Sequence, residues 1–69
     1  MKFKKAVIAV RLSYGKKCAS RKSNEKITAR MLFESPFIVF EYKFEDGEWK
    51  RGGLTMDLVD ADDWRLEEL

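Results

Sequence analysis

The chain contains no histidine, one cysteine and one proline among its 69 residues. A single thiol, Cys18, rules out an internal disulfide. Without histidine, nothing has the spacing of a zinc site. No apolar run approaches the roughly 20 residues that a membrane-spanning helix needs, and no signal peptide is read ahead of the domain. The expectation is one soluble, intracellular domain over residues 1–69. Such a short chain buries only about 60% of the surface it exposes when unfolded. Self-association is the staple that remains once disulfides and metals are set aside.

The missing histidine also removes the side chain whose unperturbed pKa lies nearest neutrality. Acid–base catalysis would then need a shifted carboxylate, lysine or thiol in a deep apolar pocket, and a chain of this length has little interior to build one. No catalytic residue, metal or cofactor is expected, and the chain is not read as an enzyme.

Charge is what the sequence has in quantity, and it is unevenly placed. Residues 1–30 hold ten Lys/Arg against Glu25 alone, a balance of +9. Residues 31–69 hold four against eleven acids, a balance of −7, so the total of +2 conceals the split. This asymmetry fits a nucleic-acid face, an anion site, or two surfaces that neutralise each other.

Phe3, Ala6, Val7, Val10 and Tyr14 recur at three- and four-residue spacing and predict a helix over 2–14. Gly15 is placed to close it in a left-handed conformation. The segment Cys18–Glu25 has no apolar period and reads as a loop. Residues 26–34 alternate with Ile27, Ala29, Met31 and Phe33 on one side, which predicts a strand. After Ser35-Pro36, a second strand has Ile38, Phe40, Tyr42 and Phe44 on one face. Its other face carries Phe37 and Val39 with Glu41 and Lys43. A strand apolar on both sides asks for a second cover, such as another subunit.

Glu45-Asp46-Gly47-Glu48 reads as a turn using the positive φ that Asp-Gly tolerates. A third strand starts at Trp49 and ends at Gly52-Gly53. Thr55 is expected to cap a one-turn helix with Asp57 in its first turn. The final extended stretch turns Trp64 and Leu66 inward. The fold class is α+β: an N-terminal helix on a small antiparallel sheet, with a short helical turn before the last strand. Both tryptophans are expected as core anchors, Trp64 above all.

The two ends together resemble a known family. Phe3, Ala6, Ala9, Gly15, Lys16 and Lys17 match its amphipathic start, and Arg21-Lys22-Ser23-Asn24 its basic loop. Thr55, Asp57-Leu58-Val59 and Asp62-Asp63-Trp64 match its ending. This is similar to the Thoeris anti-defence sponge domain of phages. The resemblance implies a non-enzymatic homo-oligomer, dimer or tetramer, in the cytoplasm of the host bacterial cell. It also implies that the protein sequesters a cyclic ADP-ribose-like or cyclic nucleotide immune signal. The family loop carries a tryptophan soon after its arginine, where this chain has Ser23 or Asn24.

The candidate ligand-binding residues are Arg21, Lys22, Ser23, Asn24, Thr55, Asp57 and Asp62. Guanidinium and ammonium groups suit phosphate oxygens, whereas Ser, Thr and Asn suit a ribose or base edge. The aspartates would accept ribose hydroxyls or amino groups. Arg21 is expected to be the principal donor. Two other readings remain open at this point: a small nucleic-acid-binding module, or an inhibitor that binds a host protein.

Overall fold

The computed structural model describes residues 1–22, 26–45 and 47–69. Its first helix, α1 (Phe3–Leu12), is amphipathic, and it turns Ala6 and Val10 fully inward. It ends in two left-handed residues, Tyr14 (φ 52°) and Gly15 (φ 83°). Glycine adopts that conformation without the steric penalty of a Cβ. The Ser13 hydroxyl donates to the Val10 carbonyl at 2.7 Å and accepts from the Lys17 backbone N–H at 3.1 Å, which ties the helix end to the first strand.

Among the described residues five strands follow: β1 (Lys17–Lys22), β2 (Ile27–Glu34), β3 (Phe37–Phe44), β4 (Lys50–Gly52) and β5 (Arg65–Glu68). They form one sheet in the order β4-β3-β2-β1-β5, and every neighbouring pair is antiparallel. A one-turn helix, α2 (Met56–Asp60), precedes β5. The α+β architecture is therefore the one the apolar periods predict.

The loop expected over 18–25 is a correction. Residues through Lys22 form β1, bonded to β2 on one side and β5 on the other. Two flanking ladders satisfy its backbone groups, and that outweighs the weak strand preference of Ser, Arg and Lys. Ser23, Asn24 and Glu25, the remainder of that loop reading, lie outside the described residues.

The core is built on one face of the sheet. Ala19 of β1 stands between Met31 and Leu66, and Met31 in turn faces Phe40. Ala6, Val10 and Leu58 cover this row, with Trp64 beside them. Small residues at Ala6, Ala19 and Ala29 let the helix approach the sheet closely, while Met31 and Trp64 fill the volume.

On the opposite face the apolar residues of β3 do not form an open stripe. Arg30 pairs with Glu41 at 2.7 Å, and Arg51 pairs with Glu34 at 2.7 Å. The Arg30 guanidinium lies 4.0 Å above the Trp49 ring, and the Lys43 ammonium is 5.0 Å from the ring centre. Trp49 is thus half-buried on the outer face under cations, instead of anchoring the core. Cation–π contacts of this kind contribute about 0.5–2 kcal/mol. These charges occupy part of the outer face, while Phe37 at its end stays 68% exposed.

The turn expected at 45–48 joins β3 to β4: the Gly47 N–H donates to the Phe44 carbonyl at 2.7 Å, and Glu45 rather than Gly47 has a positive φ (41°). Asp46 lies outside the described residues. Gly52 has a different role. A Cβ there would meet the Tyr42 ring at 2.7 Å, so the ring lies directly on the β4 backbone. From there the Tyr42 hydroxyl donates to the Gly53 carbonyl.

Thr55 occupies the N-cap position of α2 with extended backbone, as expected, but its side chain makes no capping hydrogen bond. Thr55→Ala is therefore expected to change stability by less than about 0.5 kcal/mol, the range of ordinary surface replacements. A thermal melt shifted by the amount typical of a lost cap, about 1 kcal/mol, would contradict this geometry.

Candidate cleft at the β1–β5 edge

Strand pairing decides which polar residues meet. The register sets Ser20 against Arg65 and Lys22 against Thr28. Together with Arg21, Asp63 and Glu67, these side chains line a cleft of about 280 Å³. Arg21 follows Ser20, so its side chain leaves the opposite face of the strand and bends to the corner before β5. There its Nε donates to Asp63 Oδ1 at 2.8 Å. The Ser20 hydroxyl donates to Glu67 Oε1 at 2.8 Å.

These contacts assign different roles to the cations. The Arg21 side chain is only 14% exposed and is engaged by Asp63. Lys22 and Arg65 are exposed at the cleft wall. Among the described lining residues, three cations against two carboxylates leave an excess positive charge, and Ser20 and Thr28 add hydroxyls. Such a set can hold an anionic group beside a polar one. At about 280 Å³ the cleft is at the small end of ligand pockets, so it fits part of a nucleotide rather than all of one.

The hydrogen bond from Arg21, followed by the guanidinium's charge, holds the Asp63 carboxyl below the usual carboxylate range. A depressed folded-state pKa favours folding above the unfolded value of about 3.9. That contribution is lost as pH falls through the lower, folded value. It is small, because Asp63 is more than half exposed. The expected result is a carboxyl NMR titration for Asp63 with its midpoint below that of an ordinary aspartate. In Arg21→Gln the midpoint should move upward; an unchanged midpoint would mean that the pair does not persist in solution.

Of the residues singled out from the sequence, Arg21 and Lys22 meet in the cleft. Ser23 and Asn24 lie outside the described residues. Thr55, Asp57 and Asp62 are exposed and are not among the cleft's lining residues. The aspartate that reaches Arg21 is Asp63, one residue further along. Ser20, Thr28, Arg65 and Glu67 were not foreseen. The alternation of Arg65-Leu66-Glu67 puts both charges on one face, but their meeting with Ser20 needs the β1–β5 pairing that a loop reading hides.

Cys18 is buried, and burial first, then the nearby Glu67 carboxylate, pushes its thiol up. Among the described residues no group of three or more His, Cys, Asp or Glu is arranged for a metal, and no helix is long and apolar enough to cross a membrane.

No family model matches the chain, and no curated protein or solved structure does either.

Proposed function

We propose that this chain is a non-enzymatic binding protein that sequesters a small anionic, nucleotide-derived signal. The observation that carries the reading is the meeting of Arg21, Lys22 and Arg65 with the Ser20 and Thr28 hydroxyls in one cleft. Phosphate oxygens suit the cations, and sugar hydroxyls suit the carboxylates of Asp63 and Glu67. The resemblance of both chain ends to the Thoeris anti-defence sponge domain supports a cyclic ADP-ribose-like or cyclic nucleotide ligand. In that role the protein acts in the cytoplasm of an infected bacterium and inhibits its anti-phage defence.

The nucleic-acid reading draws less support from the sheet. Arg30 and Arg51 on its outer face are paired with Glu41 and Glu34, which breaks up a continuous cationic track.

The test is to incubate the purified protein with cyclic nucleotides and ADP-ribose isomers, wash it, heat it, and identify what it releases by mass spectrometry. Release of one intact member of the library is expected. Release of none, with salt-dependent binding to DNA instead, would replace this reading by the nucleic-acid one. Capture of one host protein with neither would favour the inhibitor.

A further inference from the structure

Four cations of the sheet, Lys17, Arg21, Arg30 and Arg51, are held by the chain's own carboxylates. Those of α1 are not. Lys2, Lys4, Lys5 and Arg11 are exposed, and among the described residues none of the four is in an ion pair. The first turn of α1 carries no acid, and residues 1–24 contain none. Lys2, Lys4 and Lys5 thus crowd the end of the helix where its dipole is positive, the reverse of the favourable arrangement. A local choice that costs stability with no gain inside the chain is expected at a surface kept for function. Between these cations the helix leaves apolar side chains open: Ile8 is 47%, Leu12 68% and Tyr14 81% exposed. Ile8 borders two hollows, one of about 520 Å³ with Met1, Lys2, Lys4 and Lys5, and one of about 240 Å³ with Arg11, Leu12, Tyr14 and Phe33. They meet at Ile8, and neither has an acid among its described lining residues.

We propose that this groove along α1 is a docking surface for an acidic, amphipathic helical segment of another protein. Carboxylates on such a segment would meet Lys4, Lys5 and Arg11. Its apolar residues, one turn apart, would meet Ile8 and Leu12, which are themselves one turn apart. The ten residues of α1 span about 15 Å, the length of roughly three helical turns. A flat bilayer fits less well. The broad apolar face of α1, with Ala6 and Val10, is turned into the core, so the wide apolar face that lies in a membrane is already used. A nucleic-acid backbone would satisfy the cations but would set Ile8 and Leu12 against phosphate. The groove shares no described lining residue with the β1–β5 cleft, so the inference stands whatever that cleft holds.

The probe is a fluorescein-labelled helical peptide with Leu on one face and Glu on the other, read by anisotropy at low salt. Saturable binding to wild type is expected. A peptide of the same composition in scrambled order should bind about tenfold more weakly, because it has no apolar stripe. Leu12→Ser should also lose about tenfold in affinity, the effect of one apolar anchor. Lys4→Glu with Lys5→Glu should lose at least as much while melting at or above the wild-type temperature, since acids suit that end of the helix. Circular dichroism checks each fold; should either variant unfold, Ile8→Ser takes its place with the same expected loss. No binding, equal binding of the scrambled peptide, or wild-type affinity in a folded variant would overturn the proposal. Tighter binding to phosphatidylglycerol vesicles or to duplex DNA than to the peptide would overturn it too, by giving the cations to lipid or nucleic acid. A wild type that sediments as a dimer, and that Leu12→Ser reduces to the 8.1 kDa of one chain, would put a second copy in the groove and overturn it as well.

Discussion

Trp64→Ala is expected to remove about 3–5 kcal/mol of stability, the cost of emptying a large aromatic site in a packed core. Trp64 is 1% exposed and is the largest fully buried side chain. Its indole Nε1 donates to the Leu58 carbonyl at 3.1 Å, which ties the end of the sheet to α2. The Phe3 ring meets it edge-on with centroids 6.1 Å apart, which ties it to α1. Its backbone joins Met1 through two hydrogen bonds, the Met1 amino group to the Trp64 carbonyl at 2.8 Å and the Trp64 N–H to the Met1 carbonyl at 3.1 Å.

Alanine would therefore leave a cavity between both helices and the sheet, and strip a buried carbonyl of its donor. At about 0.05–0.15 kcal/mol per residue, a domain of this length has only some 3–10 kcal/mol in total. Most of the variant should be unfolded at room temperature by circular dichroism. Trp64→Phe separates the two causes. It keeps most of the ring and should lose about 1–3 kcal/mol, largely through the unsatisfied carbonyl. An unchanged melt in Trp64→Ala would show that the tryptophan is not the anchor.

Trp64 was legible in the sequence because an extended stretch after a one-turn helix leaves few other positions for a large apolar ring, even though Phe3 and Met1, which it meets, lie at the other end of the chain. The strands β2 and β3 were legible for a similar reason, since Ile27 to Phe33 and Ile38 to Phe44 alternate over a full strand length. β1 was not. Its inward residues are Ala19 and Arg21, one too small to register as a core residue and one charged. Ala19 is small because α1 crosses there, and Arg21 turns toward Asp63 at the margin of the core. Arg21's partner is 42 residues away, and the packing of α1 over Ala19 is a tertiary contact; no short window contains either.

Trp49 shows the converse. A large aromatic reads as core in any composition argument, yet here it serves as the plate beneath Arg30 and Lys43 on the solvent side. The candidate site suffered from the same blindness as β1. Its basic members were visible as a cluster, while Arg65 and Glu67 were separated from them by the whole sheet. Thr55, Asp57 and Asp62 were chosen from the family pattern and the chemistry of their side chains, but none of them lines the cleft.

That geometry reverses the expected order of importance among the cations. Arg65→Ala is expected to weaken ligand binding by about 1.5–3 kcal/mol, the scale of a hydrogen bond to a charged group, or about 10- to 100-fold in affinity. Arg65 is exposed at the cleft wall, and its planar fork can hold two phosphate oxygens at once. Lys22 offers a point charge on a flexible stem, whose ordering costs entropy. Lys22→Ala should therefore cost less than Arg65→Ala and act more on the association rate. Arg21, first in the sequence reading, already donates its Nε to Asp63. Its loss should lower stability as well as affinity, because Asp63 is left without that partner. Calorimetry with the ligand that wild type retains, paired with a melt of each variant, separates the two effects. Arg65→Ala should keep the wild-type melt and lose affinity, while Arg21→Ala should lose both. Wild-type affinity in Arg65→Ala, with the whole loss in Arg21→Ala, would move the phosphate site off the β1–β5 edge. It would then lie toward the 21–24 segment, where the sequence first placed it.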